Sequence, residues 1–309
     1  MRTATSWLRH GTAALAVLTL LAVPGARVDA EDNTDGKLRL LVIGAHPDDP
    51  DKSGGTMARY VELGHTVKFV SLTNGDAGHQ SLGGGPLARI RTLEAKCAGE
   101  AIDSEYITLD NHDGELMPTL EMRRQVITVI REFKPDMVFT PRVDDYHPDH
   151  RATAMLVRDA AYMVTVPNVV AKTPHLEKNP IFINVEDRFS KPTPFNPVIV
   201  VDVGDVIEKK VDMYHCHTSQ MYEWLPYNRG GLDQVPEGDA ERRAWLAKRL
   251  KAGWRRTADR FRDKLNELYG EEKGSKIEFA EAFEVSEYGY MPSKEQLKKL
   301  FPFYSESAE

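Results

Sequence analysis

Two histidine and carboxylate clusters about a hundred residues apart, Ala45-His46-Pro47-Asp48-Asp49 and His147-Pro148-Asp149-His150, carry the residue types of an open metal site with its own base. A catalytic zinc site takes three protein ligands from His and carboxylate and leaves one position for water. His46, Asp49 and His150 fill that set. Asp48 cannot share the ion with its neighbour Asp49 without backbone strain, so it is free to act as general base toward the water. His147, one helical turn before His150, is left to stabilise an oxyanion or, if protonated, to donate a proton. Asp149 is placed to orient one of the imidazoles. A single His-Pro-Asp is equally a turn, because Pro and Asp favour turns and Asp caps helices. The recurrence decides for metal: two histidines lie three apart, and a third directly follows a predicted strand. Zn2+ suits these donors, which also admit Fe2+, Co2+ or Mn2+.

The elements that must position these residues follow from the apolar pattern. Residues 38–44 read as a buried strand ending in a glycine turn, so His46, Asp48 and Asp49 sit past its carboxyl end, where open α/β sheets place ligands. Helices are expected over 55–63, 87–98, 119–133 and 149–164, and strands over 66–72, 105–109, 137–140 and 198–203. This alternation implies a Rossmann-like, mostly parallel sheet with helices on both faces. A Gly-x-Gly-x-x-Gly run is absent after the first strand, which argues against NAD or FAD, and neither a Walker loop nor an internal repeat is present. Residues 74–86, with five glycines, read as a flexible loop beside the site, either a substrate rim or a mobile surface. Residues 226–236 are loop-like. A single long helix is expected over 239–269, with Trp245, Leu250, Trp254, Ala258, Phe261, Leu265 and Leu268 near helical spacing. Its cations either face an anionic glycan or, with Asp259, Asp263 and Glu267 interleaved, form a solvated face; the second is favoured. The expected division is a leader over 1–30, a catalytic domain over 31–225 and a helical extension over 226–309 packing on it.

The chain resembles the LmbE-like, PIG-L N-acetylglucosaminyl deacetylase family of zinc-dependent amidohydrolases. The resemblance is carried by Ala-His-Pro-Asp-Asp after the first strand, Gly54-Gly55-Thr56, Arg91-Thr92-Leu93-Glu94, His147-Pro148-Asp149-His150 and His217-Thr218-Ser219-Gln220, with Glu281-Ala282-Phe283 a weaker match. It implies the same assignment, with His46, Asp49 and His150 on the metal and Asp48 as base. The family's Glu after the paired aspartates is missing: Pro50-Asp51-Lys52-Ser53 stands there, one residue shorter, and Asp51 is the candidate replacement. The resemblance also implies substrate contacts from Arg91, Asp113 and His217. Arg91 is alternatively a surface ion pair with Glu94, Asp113-Gly114 an ordinary turn, and His217 equally ambiguous. The expected reaction is removal of the N-acetyl group from an N-acetylglucosamine-type sugar or glycan. The alternatives are hydrolysis of another amide or of a phosphoester, or a non-catalytic carbohydrate- or metal-binding protein. Retention of Asp48 argues against the binding protein, which has no need of a base.

The 309 residues carry 40 Lys and Arg against 47 Asp and Glu, a net charge of −7, which disfavours nucleic acid as a partner. Their length suits one large domain with an appendage. Arg2 and Arg9, an apolar run over 13–23 and Val28-Asp29-Ala30 form the pattern of an export leader cleaved after Ala30. The run is short for a membrane span, so a periplasmic or extracellular protein without stable membrane insertion is expected. Cys97 and Cys216 are too few for a disulfide scaffold. One bridge is allowed, as is a buried free thiol at Cys97. A second metal at His215-Cys216-His217 is not expected, because alternate residues point apart.

Overall fold

The computed structural model describes residues 36–304; the expected leader over 1–30 and its expected cleavage site lie outside the described residues. Strands β1 (Arg39–Gly44), β2 (Thr66–Ser71), β3 (Glu105–Thr108), β4 (Met137–Thr140), β5 (Ile181–Val185), β6 (Ile199–Asp202) and β7 (Ala280–Gly289) form a seven-stranded sheet in the order β3-β2-β1-β4-β5-β7-β6. The first five run parallel. Helices α1 (Gly54–Glu62), α2 (Gly84–Glu100), α3 (Leu120–Phe133) and α4 (Pro148–Met163) connect them, and α5 (Ile207–Cys216) follows β6. The period of two along a strand sends Leu40 and Val42 into a core with Met57, Ala95 and Met213 of α1, α2 and α5. Leu41 and Ile43 enter the opposite core, with Ile130 of α3 and Leu156 of α4. Both faces of β1 are therefore covered, which explains its unbroken apolar run. The strand order reverses between β1 and β4, which pair in register Leu40↔Met137 to Val42↔Phe139. A crevice opens there at the carboxyl ends of the strands, and both histidine clusters emerge into it.

The C-terminal part differs from expectation. The catalytic domain does not end at residue 225, and residues 226–309 are not a purely helical extension: β7 enters the sheet antiparallel between β5 and β6. Residues from Gly36 onward form one compact unit. Strand β7 begins Ala-Glu-Ala-Phe, without the β-branched run that marks a strand in sequence. Beyond α5 come a π-helix (Ser219–Trp224), α6 (Leu225–Asn228), α7 (Asp239–Arg260) and α8 (Arg262–Tyr269). The single helix expected over 239–269 breaks at Phe261, whose φ of −112° and ψ of 30° leave the helical region and whose ring packs on Phe195. Ala258 before the break and Leu265 after it both pack with Val200, Ala280 and Ala282 of the sheet. Cys97 is exposed and bridged to Cys216, so it is not a buried free thiol; the disulfide ties α2 to the end of α5. Among the described residues no helix is long and apolar enough to cross a membrane.

Candidate metal centre

After β1 the chain folds back at once: a Cβ on Gly44 would lie 2.5 Å from Pro50 Cδ and 2.7 Å from Asp49 Cβ. Only glycine allows this reversal, which leads into a 3-10 turn over Asp49–Ser53. Asp49 Oδ2 thereby accepts the His46 backbone N–H at 2.9 Å and stands 3.1 Å from His46 Nδ1. After β4, His147 caps α4, its Nδ1 accepting the Asp149 N–H at 3.2 Å, with Pro148 in the first turn. One turn on, His150 Nε2 lies 3.1 Å from Asp49 Oδ2 and 3.3 Å from His46 Nδ1. Metal bonds of about 2.0–2.2 Å in a tetrahedral site separate ligand atoms by about 3.3–3.5 Å. The triangle of His46, Asp49 and His150 is within a few tenths of an ångström of that spacing. His147 also brings a ring nitrogen within 4.8 Å of those of His46 and His150, and His46, Asp113 and Asp149 form a further group within that span. The triangle of His46, Asp49 and His150 is the better fit, because it joins two imidazoles to a carboxylate with all three separations between 3.1 and 3.3 Å.

The donor chemistry agrees. His46 Nε2 faces two carboxylates, Asp113 Oδ1 at 3.0 Å and Asp149 Oδ2 at 3.2 Å, and His150 Nδ1 faces Asp145 Oδ1 at 2.9 Å. Carboxylates only accept, so these outer nitrogens carry protons. The inner nitrogens, His46 Nδ1 and His150 Nε2, both face Asp49 Oδ2, and a bound cation would take their lone pairs in place of protons. Burial opposes charging of His46, yet Asp113, Asp149 and Asp49 outweigh it and hold its pKa well above the usual histidine value. At His150 burial is likewise outweighed by Asp49 and Asp145, which lift it to about 9. Asp49 is held well below the ordinary carboxylate range: burial penalises its charge, but Lys52 and His150 prevail. His147 moves the other way, lowered by burial and by its neighbours His46 and His150. This shift disfavours the protonated form that a proton donor at His147 requires.

Asp149 is fully buried and accepts the Gly114 and Leu116 N–H groups at 2.7 and 3.2 Å, which fixes it as the group that orients His46. The remaining expected site residues separate. Asp113 stands at the centre, its loop held by Asp76, which accepts the Asp113 N–H at 2.9 Å. His217 does not: it is wholly buried and pairs with Asp51, Nε2 to Oδ2 at 2.8 Å, so neither reaches a substrate. Arg91, 1 % exposed, makes no surface pair with Glu94 and has no face to offer a sugar; it donates to Gly78 O and to Gln220 Oε1. Gln220 in turn donates from Nε2 to Asp48 Oδ2 at 3.2 Å. Glu94 accepts from Ser219 N and Oγ at 2.6 and 2.7 Å and so secures the π-helix that carries Gln220. Sequence reasoning gave no role to Gln220 or Asp145 and took Glu94 only as a surface partner for Arg91. Asp145 lay within reach, two residues before the second cluster, where a carboxylate beside a ligand histidine is a common partner. Asp145→Ala should weaken metal binding by ~10- to 100-fold, read by competition with a chelating indicator; unchanged affinity would remove its role.

A mostly parallel sheet with two imidazoles and a carboxylate converging at its switch point defines an α/β protein with a candidate metal site beside a second carboxylate. The family described as GlcNAc-PI de-N-acetylase (PIG-L) matches residues 41–161. Diacetylchitobiose deacetylase of Thermococcus kodakarensis is 31% identical over 209 residues, spanning 62% of this chain and 75% of that protein. 4-Oxalmesaconate hydratase of Pseudomonas putida is 22% identical, spanning 70% and 87%. The structure of N,N'-diacetylchitobiose deacetylase from Pyrococcus horikoshii shares the fold, with a TM-score of 0.62 at 22% identity over 84% of this chain and 87% of that one. The chain belongs to the PIG-L family of LmbE-like deacetylases.

Proposed function

We propose that the protein is an exported, metal-dependent N-deacetylase acting on an N-acetylglucosamine-type sugar or glycan. The observation that carries this is Asp48, a carboxylate beside the donor triangle but outside it, pinned by Gln220 and opening with Asp49 on a cavity of about 480 Å³. That volume is typical of small-molecule sites. The named action of the Thermococcus relative on diacetylchitobiose supports the acetamido sugar. His46, Asp49 and His150 would hold the ion, which when bound supplies Lewis acidity toward the acetamide carbonyl and lowers the pKa of water. Asp48 takes the proton of the attacking water and returns it to the departing amine. Neutral His147, its Nδ1 engaged by the Asp149 N–H, keeps its proton on Nε2 and donates it as a hydrogen bond to the developing oxyanion. The Cys97–Cys216 disulfide supports an oxidising compartment and hence export.

Acetate release from a panel of N-acetylated sugars, measured together with metal content, tests the reading. A folded, metal-loaded protein that releases none overturns it. Loss of an unsaturated carboxylate without acetate release would point instead to the water addition named for the Pseudomonas relative. Asp113 Oδ1 shares His46 Nε2 with Asp149, and its second carboxylate oxygen is the one offered to substrate hydroxyls. Asp113→Ala is therefore expected to raise KM more than it lowers kcat, and a pure kcat loss would assign Asp113 to the metal side instead.

A further inference from the structure

Three arginines line the cavity that opens on Asp48 and Asp49: Arg229 beyond α6, and Arg249 and Arg256 on α7. Arg249 and Arg256 are seven residues apart, two helical turns, and share one face of α7 with Trp245. Of the other six cations on this helix four have carboxylate partners, while Arg242, which donates to Pro236 O, and Lys248 have none among the described residues. Arg243 pairs with Asp212 and Glu208, Lys251 with Glu208, Arg255 with Glu278 and Arg260 with Glu186. Among the described residues no carboxylate pairs with Arg229, Arg249 or Arg256; Arg249 only stacks on Trp245, its guanidinium carbon 4.6 Å from the ring centre. In a chain of net charge −7, uncompensated positive charge thus lines a cavity that reaches the candidate base. The carboxylates on that wall are already engaged, Asp49 by Lys52 and Asp48 by Gln220. Tyr214, Met221, Leu225 and Leu246 supply apolar walls, which strengthen the field of the guanidinium groups. Guanidinium forks left without partners beside such walls suit carboxylate or phosphate oxygens.

We propose that Arg229, Arg249 and Arg256 form an anion subsite, so that the preferred substrate is an N-acetylated sugar bearing a carboxylate or phosphate group. The acetamide half of this statement rests on the deacetylase reading; the anion half stands on the arginines alone. The face expected to be merely solvated is thereby part of the substrate cleft.

Acetate release by the metal-loaded full-length protein is compared for N-acetylglucosamine 6-phosphate, N-acetylmuramic acid and neutral N,N'-diacetylchitobiose. Affinity for the same three is measured by calorimetry on metal-stripped protein, where an anion has no metal to bind. The native protein should favour a charged sugar by about tenfold to a hundredfold in kcat/KM and in Kd, the range for a charge-assisted contact. Which of the two charged sugars is favoured identifies the anion. The preference should shrink at high salt and fall toward parity in the triple variant R229Q/R249Q/R256Q, whose exposed glutamines keep helix propensity. Lys248→Gln, a charge change on α7 outside the cavity, should retain it. No preference in the native protein, a preference that survives the triple variant, or an equal loss in Lys248→Gln overturns the subsite. Equal acetate release from all three sugars sinks the subsite and leaves the deacetylase standing. Arginine-dependent binding without any acetate release does the reverse.

Discussion

Asp48→Asn is expected to keep its metal and lose ~10² to 10⁴ in turnover, the range for removing a general base. Asp49→Ala, one residue on, is expected to lose the metal. The two carboxylates differ in what surrounds them. Asp49 Oδ2 lies 3.1 Å from both His46 Nδ1 and His150 Nε2, while its Oδ1 takes the Lys52 ammonium at 3.0 Å. Asp48 makes no contact with either imidazole and instead holds the Gln220 amide. Asparagine at position 48 preserves shape and can still bond Gln220 but cannot accept the water proton. Metal content by elemental analysis beside acetate release separates the roles, and His150→Ala should behave as Asp49→Ala. Equal metal loss in all three variants would sink the division of labour.

Glu281→Ala should destabilise the protein by about 3–5 kcal/mol, the cost of leaving a buried charge without its partner, or roughly 6–10 °C in Tm for a chain of this size. Glu281 is 4 % exposed and Lys210 is 1 % exposed. Glu281 Oε1 accepts from the Lys210 ammonium and from Gly55 N at 2.8 Å, and Oε2 accepts from Thr56 N at 2.9 Å. It therefore satisfies two N–H groups of the first turn of α1, which have no partners within the helix. A Cβ on Gly55 would sit 2.9 Å from Glu281 Oε1, so the glycine at this position is what admits the carboxylate. Lys210 Nζ also donates to Lys52 O at 2.9 Å, inside the turn that carries Asp49. Loss of Glu281 should accordingly weaken metal binding as well as stability. Chemical denaturation and metal titration of the variant check both, and a loss under about 1 kcal/mol, ordinary for a surface change, would show that the pair is not the tie described.

The sequence by itself determined the parts of the site whose partners are local. His46 and Asp49 are three apart across a tight turn, His147 and His150 one helical turn apart, and the apolar alternation around them makes β1 and β4 parallel strands. The neighbouring positions of these two strands at the switch point follow from the α/β pattern, which is why ligands about a hundred residues apart are recognisable before any coordinate is known. Tertiary structure alone decided the contacts that support them. His217 meets Asp51 across 166 residues, Gln220 meets Asp48 across 172 and Glu281 meets Gly55 across 226. Periodicity and turn chemistry reach only a few residues along the chain, so the burial of Arg91 and His217, the Cys97–Cys216 bridge and the insertion of β7 leave no local trace. The same holds for the arginines of α7. Their sequence reads as a mixed charged helix, and only the packed structure separates the cations that carboxylates neutralise from those that line the cavity.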